Sequence, residues 1–395
     1  MSRFRPTDEK QLAEIVAAAV AGEEPLELIA GGSKRGLGRP LQTPHTLDLS
    51  AFAGIKSYEP EELVLTAGAA TPLDEIEKAL AAKRQMLAFE PGDWRGLMGA
   101  TGHRQTLGGI VACNLAGPRR IRQGAARDHF LGFSGVSGRG EAFKAGGRVV
   151  KNVTGYDLCK LMAGSYGTLA ALTEISVKVL PVPEATRTVV LRGLDDARAV
   201  AAMTLGLNSP HELSGAAHLP RGGGPLPGAA MILRVEGPVP SVEARAAGLG
   251  AELKSIRAAE VLGDKDSAAL WKAVNDAAPL AAQDRLLWRI SLAPAAAPAF
   301  LAELKRSLEF DYFLDWGGGL AWLAVQGGED GGAAAIRAAL GGQGHATLIR
   351  APAALRAVIP VFEPLAAPVA ALAARVKASF DPKRVLNRGR LYPEI

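Results

Sequence analysis

Leu26-Glu27-Leu28-Ile29-Ala30-Gly31-Gly32-Ser33-Lys34-Arg35-Gly36-Leu37-Gly38 reads as a short buried strand that runs straight into a glycine-rich turn. In such a turn successive backbone N–H groups can converge on an anion, because glycine accepts the positive φ this requires. Ser33 adds a hydroxyl donor, and Lys34 and Arg35 add positive charge. The spacing matches neither the P-loop nor Gly-x-Gly-x-x-Gly, so neither a P-loop nor a Rossmann dinucleotide site is supported. Taken alone, the stretch is equally consistent with a flexible turn bearing solvated basic residues.

Outward from this turn the chain alternates helix and strand. Thr7 can cap a helix in which Leu12, Ile15, Val16 and Val20 recur at helical spacing, and Gly22 ends it. Residues 46–49 and 63–67 are short strands, and Thr71-Pro72-Leu73-Asp74 opens a helix with Leu73, Ile76 and Leu80 on one face. This alternation points to an α+β or α/β unit. From 93 to 167 glycine becomes dense, yet Leu107, Ile110, Val111, Leu115, Phe130, Leu131 and Phe133 still supply a core. Glycine makes up 46 of 395 residues, well above the roughly 7% of average proteins. Its clustering implies close backbone approach to something.

Two further segments stand out. Gly99-Ala100-Thr101-Gly102 is followed by Thr106-Leu107-Gly108-Gly109-Ile110-Val111-Ala112-Cys113-Asn114, where small residues and hydroxyls let donors approach a ligand. Taken alone, this segment is read more simply as tight helix packing through small residues. Gly146-Gly147-Arg148-Val149-Val150-Lys151-Asn152-Val153-Thr154-Gly155-Tyr156-Asp157 leads to a short helix and then to Gly164-Ser165-Tyr166-Gly167-Thr168-Leu169. Residues 173–179 alternate as a strand, and Pro181-Val182-Pro183 ends it. Beyond 184, residues 188–191, 230–235, 286–292 and 320–326 read as strands, and 197–205, 242–249 and 298–308 as helices. These suggest a sheet covered on one side. Residues 366–380 read as a helix before the tail.

In order and mutual spacing the three segments resemble the FAD-binding domain of the vanillyl-alcohol oxidase and p-cresol methylhydroxylase (PCMH) family. The resemblance covers roughly residues 1–182 and the tail from Phe380 to Arg390. It implies an α+β fold: a two-lobed PCMH-type FAD-binding domain over 1–182, a smaller α+β cap domain over 183–350, and a C-terminal segment, 351–395, that returns to the FAD domain. It implies an extended FAD. Gly31, Gly32, Ser33, Lys34, Arg35, Gly36 and Leu37 would hold its diphosphate. Thr101, Gly102, Thr106, Gly108, Gly109, Ala112 and Asn114 would line the rest, with Gly167 and Leu172 near the flavin ring. Some relatives carry a histidine in the first loop that bonds to the flavin. Ser33 and Lys34 stand there instead, so the FAD is expected to be non-covalent.

Within the family, residues 152–161 and Gly344-His345-Ala346-Thr347-Leu348 are most similar to the glycolate oxidase branch. That resemblance implies an FAD-binding subunit of a complex oxidising glycolate, a small 2-hydroxy acid, to glyoxylate. The implied partners are a second, catalytic FAD-binding subunit and an iron–sulfur subunit, with electrons passing on to quinone. A stand-alone FAD-dependent 2-hydroxy-acid or alcohol oxidoreductase and a non-catalytic assembly subunit remain alternatives.

Several classes are excluded. Two cysteines, Cys113 and Cys159, rule out a disulfide scaffold and any cluster or cysteine-ligated zinc held by this chain alone. The net charge of +5 admits an anionic ligand. Aromatic residues, at 5%, are not interleaved with basic ones, which argues against nucleic acid. No apolar run is long enough to cross a bilayer, and residues 1–10 lack a secretion signal. A cytoplasmic protein is expected, with any contact to the inner membrane made through a partner. His45, His103, His129, His211, His218 and His345 show no metal-ligand spacing, so no metal is expected. Oxidation of a hydroxy acid needs a base and a cation for the carboxylate. Arg119, Arg120, Arg122 and Arg127 offer cations, in what is otherwise a solvated loop or a partner-docking loop, but no base stands out and no catalytic residue is assigned.

Overall fold

The computed structural model describes residues 2–147, 155–281 and 284–395. Lys151-Asn152-Val153-Thr154, part of the third glycine segment, lies outside these. The first helix, Glu9–Gly22, is capped one residue later than the sequence suggested. The Asp8 carboxylate accepts from the Gln11 N–H, while the Thr7 N–H and hydroxyl donate to the Gln11 side chain. This helix buries Leu12, Val16 and Ala19 against two sheets. One is a parallel sheet in the order Ser2–Phe4, His45–Asp48, Leu26–Ile29. The other is antiparallel, in the order Ile55–Glu59, Val64–Gly68, Ala170–Lys178, Phe130–Ser137, Ala142–Gly146. Full burial of each Leu or Val here contributes about 1.5–3 kcal/mol before conformational entropy is subtracted.

The described strands of four or more residues between 185 and 350 form one antiparallel eight-stranded sheet. Its order is Ala259–Leu262, Ala185–Arg192, Ala230–Gly237, Gly215–Leu219, Phe310–Asp315, Leu320–Val325, Leu286–Leu292, Gly344–Arg350. Side chains alternate along each strand. Trp288, Ile290 and Leu292 pack under the helices Asp196–Leu207, Val239–Leu253, Ala297–Leu304 and Ala333–Leu340. Leu287, Phe313 and Trp322 face the opposite way, into a core shared with the five-stranded sheet. Trp94 meets Trp322 edge-on at 5.2 Å.

Polar contacts fasten the same junction. The Glu90 carboxylate accepts from Arg234 through two bonds of 2.9 Å and from the Arg119 guanidinium and N–H at 2.6 and 2.7 Å. Arg119 also donates to Glu236 at 2.6 and 3.0 Å. Burial raises the Glu236 pKa, but Arg234 and Arg119 outweigh it and hold the carboxyl at about 2.

The helix Ala367–Phe380 leads to a tail that crosses the first strand pair. Leu386 bridges Leu26, and the Asn387 side chain accepts from Leu28 N–H at 2.8 Å and donates to the Tyr166 carbonyl at 2.7 Å.

Candidate cofactor cleft

The turn after Leu26–Ile29 is held open by a second strip of chain. The Arg104 N–H donates to the Gly31 carbonyl at 3.1 Å, and Gly32 bridges Arg104. Gly31 is required by sterics, since a Cβ there would lie 2.0 Å from the Arg104 carbonyl oxygen. Gly32 has φ +78, and its Cβ would lie 2.7 Å from His103 Nδ1. His103 thus packs behind the turn and not on the cleft wall. The N–H groups of Gly32 and Lys34 have no protein acceptor among the described residues.

Thr106 caps the helix Leu107–Ala112, its hydroxyl accepting from the Gly109 N–H at 3.3 Å. Gly108 lets this helix press on Ala69, donating to its carbonyl at 2.7 Å. The far wall is the bend at 165–167. Tyr166 sits at φ +54, and its N–H donates to the Ala112 carbonyl at 2.9 Å. The Arg390 guanidinium, threaded in from the tail, donates to the carbonyls of Arg35 and Leu37 at 3.0 and 3.2 Å. Arg35 and Arg390 share Glu27 as counter-ion.

These pieces enclose an elongated cleft with about 890 Å³ of empty space, part of it open to solvent. Its wall includes Gly31, Gly32, Ser33, Lys34, Arg35, Leu37, Thr106, Gly108, Gly109, Ala112, Gly167 and Leu172. It does not include Gly36, which packs toward Met98, or Thr101 and Gly102, which are exposed on a turn. Asn114 also lies off the wall, and its side-chain oxygen accepts from the Arg127 N–H at 3.0 Å. Sequence reasoning missed Leu28, Ala69, Ala70, Cys113, Ser165, Tyr166, Asn387 and Arg390. The Gly-Ser-x-Gly wording was a signal for Ser165 and Tyr166. No local signal marks Asn387 and Arg390, which arrive from the other end of the chain.

The wall carries no carboxylate and no imidazole among the described residues. Burial lowers the Lys34 pKa to about 8, and among the described residues its ammonium reaches only the Gln105 side-chain oxygen. Burial pushes the Cys113 thiol up to about 11 and the Tyr166 phenol well above its usual value. A desolvated ammonium without a carboxylate partner, beside unpaired N–H groups and apolar walls, suits a diphosphate with aromatic groups at either end. A metal does not suit it, and no cluster of metal-ligating side chains occurs among the described residues.

Comparison with known proteins agrees with this fit. A family model described as "FAD binding domain" matches residues 3–146. Glycolate oxidase subunit GlcE of Escherichia coli K12 is 38% identical over 385 residues, 97% of each chain. GlcD of Bacillus subtilis 168 is 41% identical over 83 residues, 21% of this chain and 18% of that one. Among solved structures, 4-ethylphenol oxidase from Gulosibacter chungangensis superposes with a TM-score of 0.71 at 13% identity, covering 99% of this chain and 89% of that one. Alkyldihydroxyacetonephosphate synthase gives 0.67 at 15%, covering 98% and 76%. The two structures show a shared fold, that of the PCMH-type FAD oxidases. FAD is the cofactor, and the chain belongs to the FAD-linked oxidoreductase family, in the branch that contains GlcE.

Proposed function

We propose that this chain is the FAD-binding subunit of a complex that oxidises a small 2-hydroxy acid, glycolate, to the 2-oxo acid, and that electrons leave through an iron–sulfur partner. The observation that carries this is similarity to GlcE over 97% of each chain, together with a cleft wall whose free N–H groups and Lys34 suit an anion but which offers no carboxylate or imidazole base among the described residues. Bound FAD supplies hydride acceptance. The chain's own residues orient and exclude: the 31–35 turn and Lys34 take the diphosphate, and the apolar wall of Ala69, Ala112 and Leu172 keeps water away. With Ser33 and Lys34 in the turn and the Cys113 thiol protonated, the cofactor is held non-covalently. The other wall positions named above are proposed contacts on the same grounds. The membership of the eight-stranded sheet supports dividing the chain at about 182 and 350. Among the described residues no helix is long and apolar enough to cross a membrane. Any association with the inner membrane is therefore assigned to a partner.

The test is flavin reduction. Glycolate is expected to bleach the FAD of this chain only after the partner flavoprotein is added. Bleaching in the isolated chain favours a stand-alone enzyme. A folded chain that takes up no FAD removes both readings.

Lys34 makes FAD binding pH-dependent. Without FAD its pKa is about 8, below the 10.5 of an ordinary lysine. Between these values the unfolded chain binds more protons, so the folded state gains stability as pH rises through that window. A bound diphosphate acts oppositely and holds the ammonium charged. FAD binding above pH 8 is therefore expected to take up close to one proton, and affinity to fall about tenfold per pH unit. Titration calorimetry at pH 8.5 in buffers of different ionisation enthalpy measures this uptake, which K34M should abolish.

A further inference from the structure

At the Tyr166 end of the cleft a second group of cations has no ion-pair partner among the described residues. The Arg120 guanidinium lies 4.8 Å from the centre of the Trp316 ring, and the Arg289 guanidinium lies 4.8 Å from the same centre. Arg120 begins the short helix Arg120–Gln123, on the FAD side of the junction. Arg289 is on the strand Leu286–Leu292, where alternation with Trp288 and Ile290 turns it toward that side. Neither guanidinium forms an ion pair or a side-chain hydrogen bond among the described residues, and Arg289 Nε is buried without a partner.

Three other deeply set arginines nearby are paired: Arg119 and Arg234 with Glu90 and Glu236, and Arg390 with Glu27. The charged neighbours of the unpaired two do not neutralise them. Asp128 favours the charged form of Arg120 and Arg127 opposes it. Asp315 favours that of Arg289, while burial and then Arg120 lower the Arg289 pKa to about 10. Burial pushes Asp315 itself up to about 7, and its carboxylate is occupied by the Trp316 N–H at 2.7 Å. Tyr166 lies close enough to Arg289 for each to influence the other's titration, and its hydroxyl has no hydrogen-bond partner among the described residues.

The ring that both arginines contact is itself fixed. Trp316 has φ +54 at a turn followed by Gly317 and Gly318, both at positive φ, and its Nε1–H donates to the Gly117 carbonyl at 3.0 Å. Backbone in this region is held only when surrounding contacts impose it. Two under-solvated guanidiniums on one rigid ring are poorly accounted for as a staple, because their mutual repulsion is left uncompensated. A carboxylate supplies what is missing, since it accepts two parallel bonds from a guanidinium.

We propose that Arg289 and Arg120, braced on Trp316 and joined by the Tyr166 hydroxyl, form a binding site for a small monocarboxylate between the eight-stranded sheet and the cofactor cleft. The ligand class is a 2-hydroxy or 2-oxo acid of two or three carbons. Only that identity rests on the function proposed above; the site itself rests on unpaired charge.

The test uses the purified full chain with FAD bound. Tryptophan fluorescence and calorimetry are followed as glycolate or oxalate is added, with glycolamide as the neutral isostere. Saturable binding of the two acids, but not of glycolamide, is expected. R289Q should weaken it at least 30-fold and R120Q about tenfold, with FAD content and thermal midpoint unchanged. Y166F should weaken it severalfold, and it serves if R289Q does not fold. No saturable binding in the wild type, equal binding of glycolamide, or unaltered binding in folded R289Q and R120Q each overturn the site. Acid binding without partner-dependent bleaching would leave the site standing and remove the complex.

Discussion

Replacing Gly31 by valine is expected to strip the protein of FAD while leaving most of it folded. The added Cβ meets the Arg104 carbonyl oxygen at 2.0 Å, and Thr106 Cγ2 at 3.0 Å. A backbone oxygen held in a strip of chain cannot swing aside as a surface side chain can. The turn must therefore part from residues 103–106, breaking the Arg104 N–H bond to Gly31 and the Gly32–Arg104 bridge. Overpacking of this kind costs about 1–3 kcal/mol. Because both strips line the cleft, the loss falls on the ligand. FAD affinity should drop at least 100-fold, equivalent to about 2.7 kcal/mol. Gly32→Ala should do less: its φ of +78 is strained for alanine, but its Cβ meets only the His103 ring, which is exposed and can move. Flavin absorbance per mole of purified G31V checks this, with circular dichroism confirming the fold. Stoichiometric flavin in folded G31V would remove the first turn from the cofactor site.

The glycine turns were legible because glycine has few other reasons to recur beside an apolar strand, and Gly31 and Gly108 are indeed where backbones touch. The helix with Leu73, Ile76 and Leu80 inward was legible for a different reason, its strict spacing. The same glycine signal concealed the strand Phe130–Ser137. Gly132 and Gly135 lie within it, each where a Cβ would meet neighbouring backbone at 2.7 Å. The helix Asp264–Asn275 and the strands Gly215–Leu219, Ala259–Leu262, Phe310–Asp315 and Gly344–Arg350 were also not read, since polar residues interrupt their apolar patterns. Arg119 and Arg120 looked alike as neighbours in a basic run. Only the fold distinguishes them, giving one two carboxylates and the other none. Asn387 and Arg390 were unreadable as wall residues, because their contacts reach back more than 350 residues to Leu28 and the first turn.

That long return makes Asp381 the residue whose loss should most disturb stability. Its side chain is fully buried and accepts from Lys377 Nζ at 2.7 Å and from the N–H groups of Val385 and Leu386 at 2.9 and 2.8 Å. Gly138 makes room for it, since a Cβ there would lie 2.3 Å from Asp381. Lys377 also donates to the Thr168 and Leu386 carbonyls, and burial lowers its pKa. D381A leaves a buried ammonium without its counter-charge and two N–H groups without acceptors. Breaking a buried pair from one side costs about 3–5 kcal/mol. K377M/D381L removes both charges and should recover part of that loss, because it strands no ion, but the orphaned N–H groups remain. The effect should not stay in the tail. Val385 and Leu386 are packed against Leu12, Val16 and Leu26, and the next turn carries Asn387 and Arg390 to the cleft. D381A is therefore expected to lower the denaturant midpoint, expose the tail to protease ahead of global unfolding, and weaken FAD binding. A D381A protein within 1 kcal/mol of wild type in chemical denaturation would mean that the pair contributes nothing net. The tail would then be held by its apolar contacts with the first helix and by the Asn387 and Arg390 hydrogen bonds.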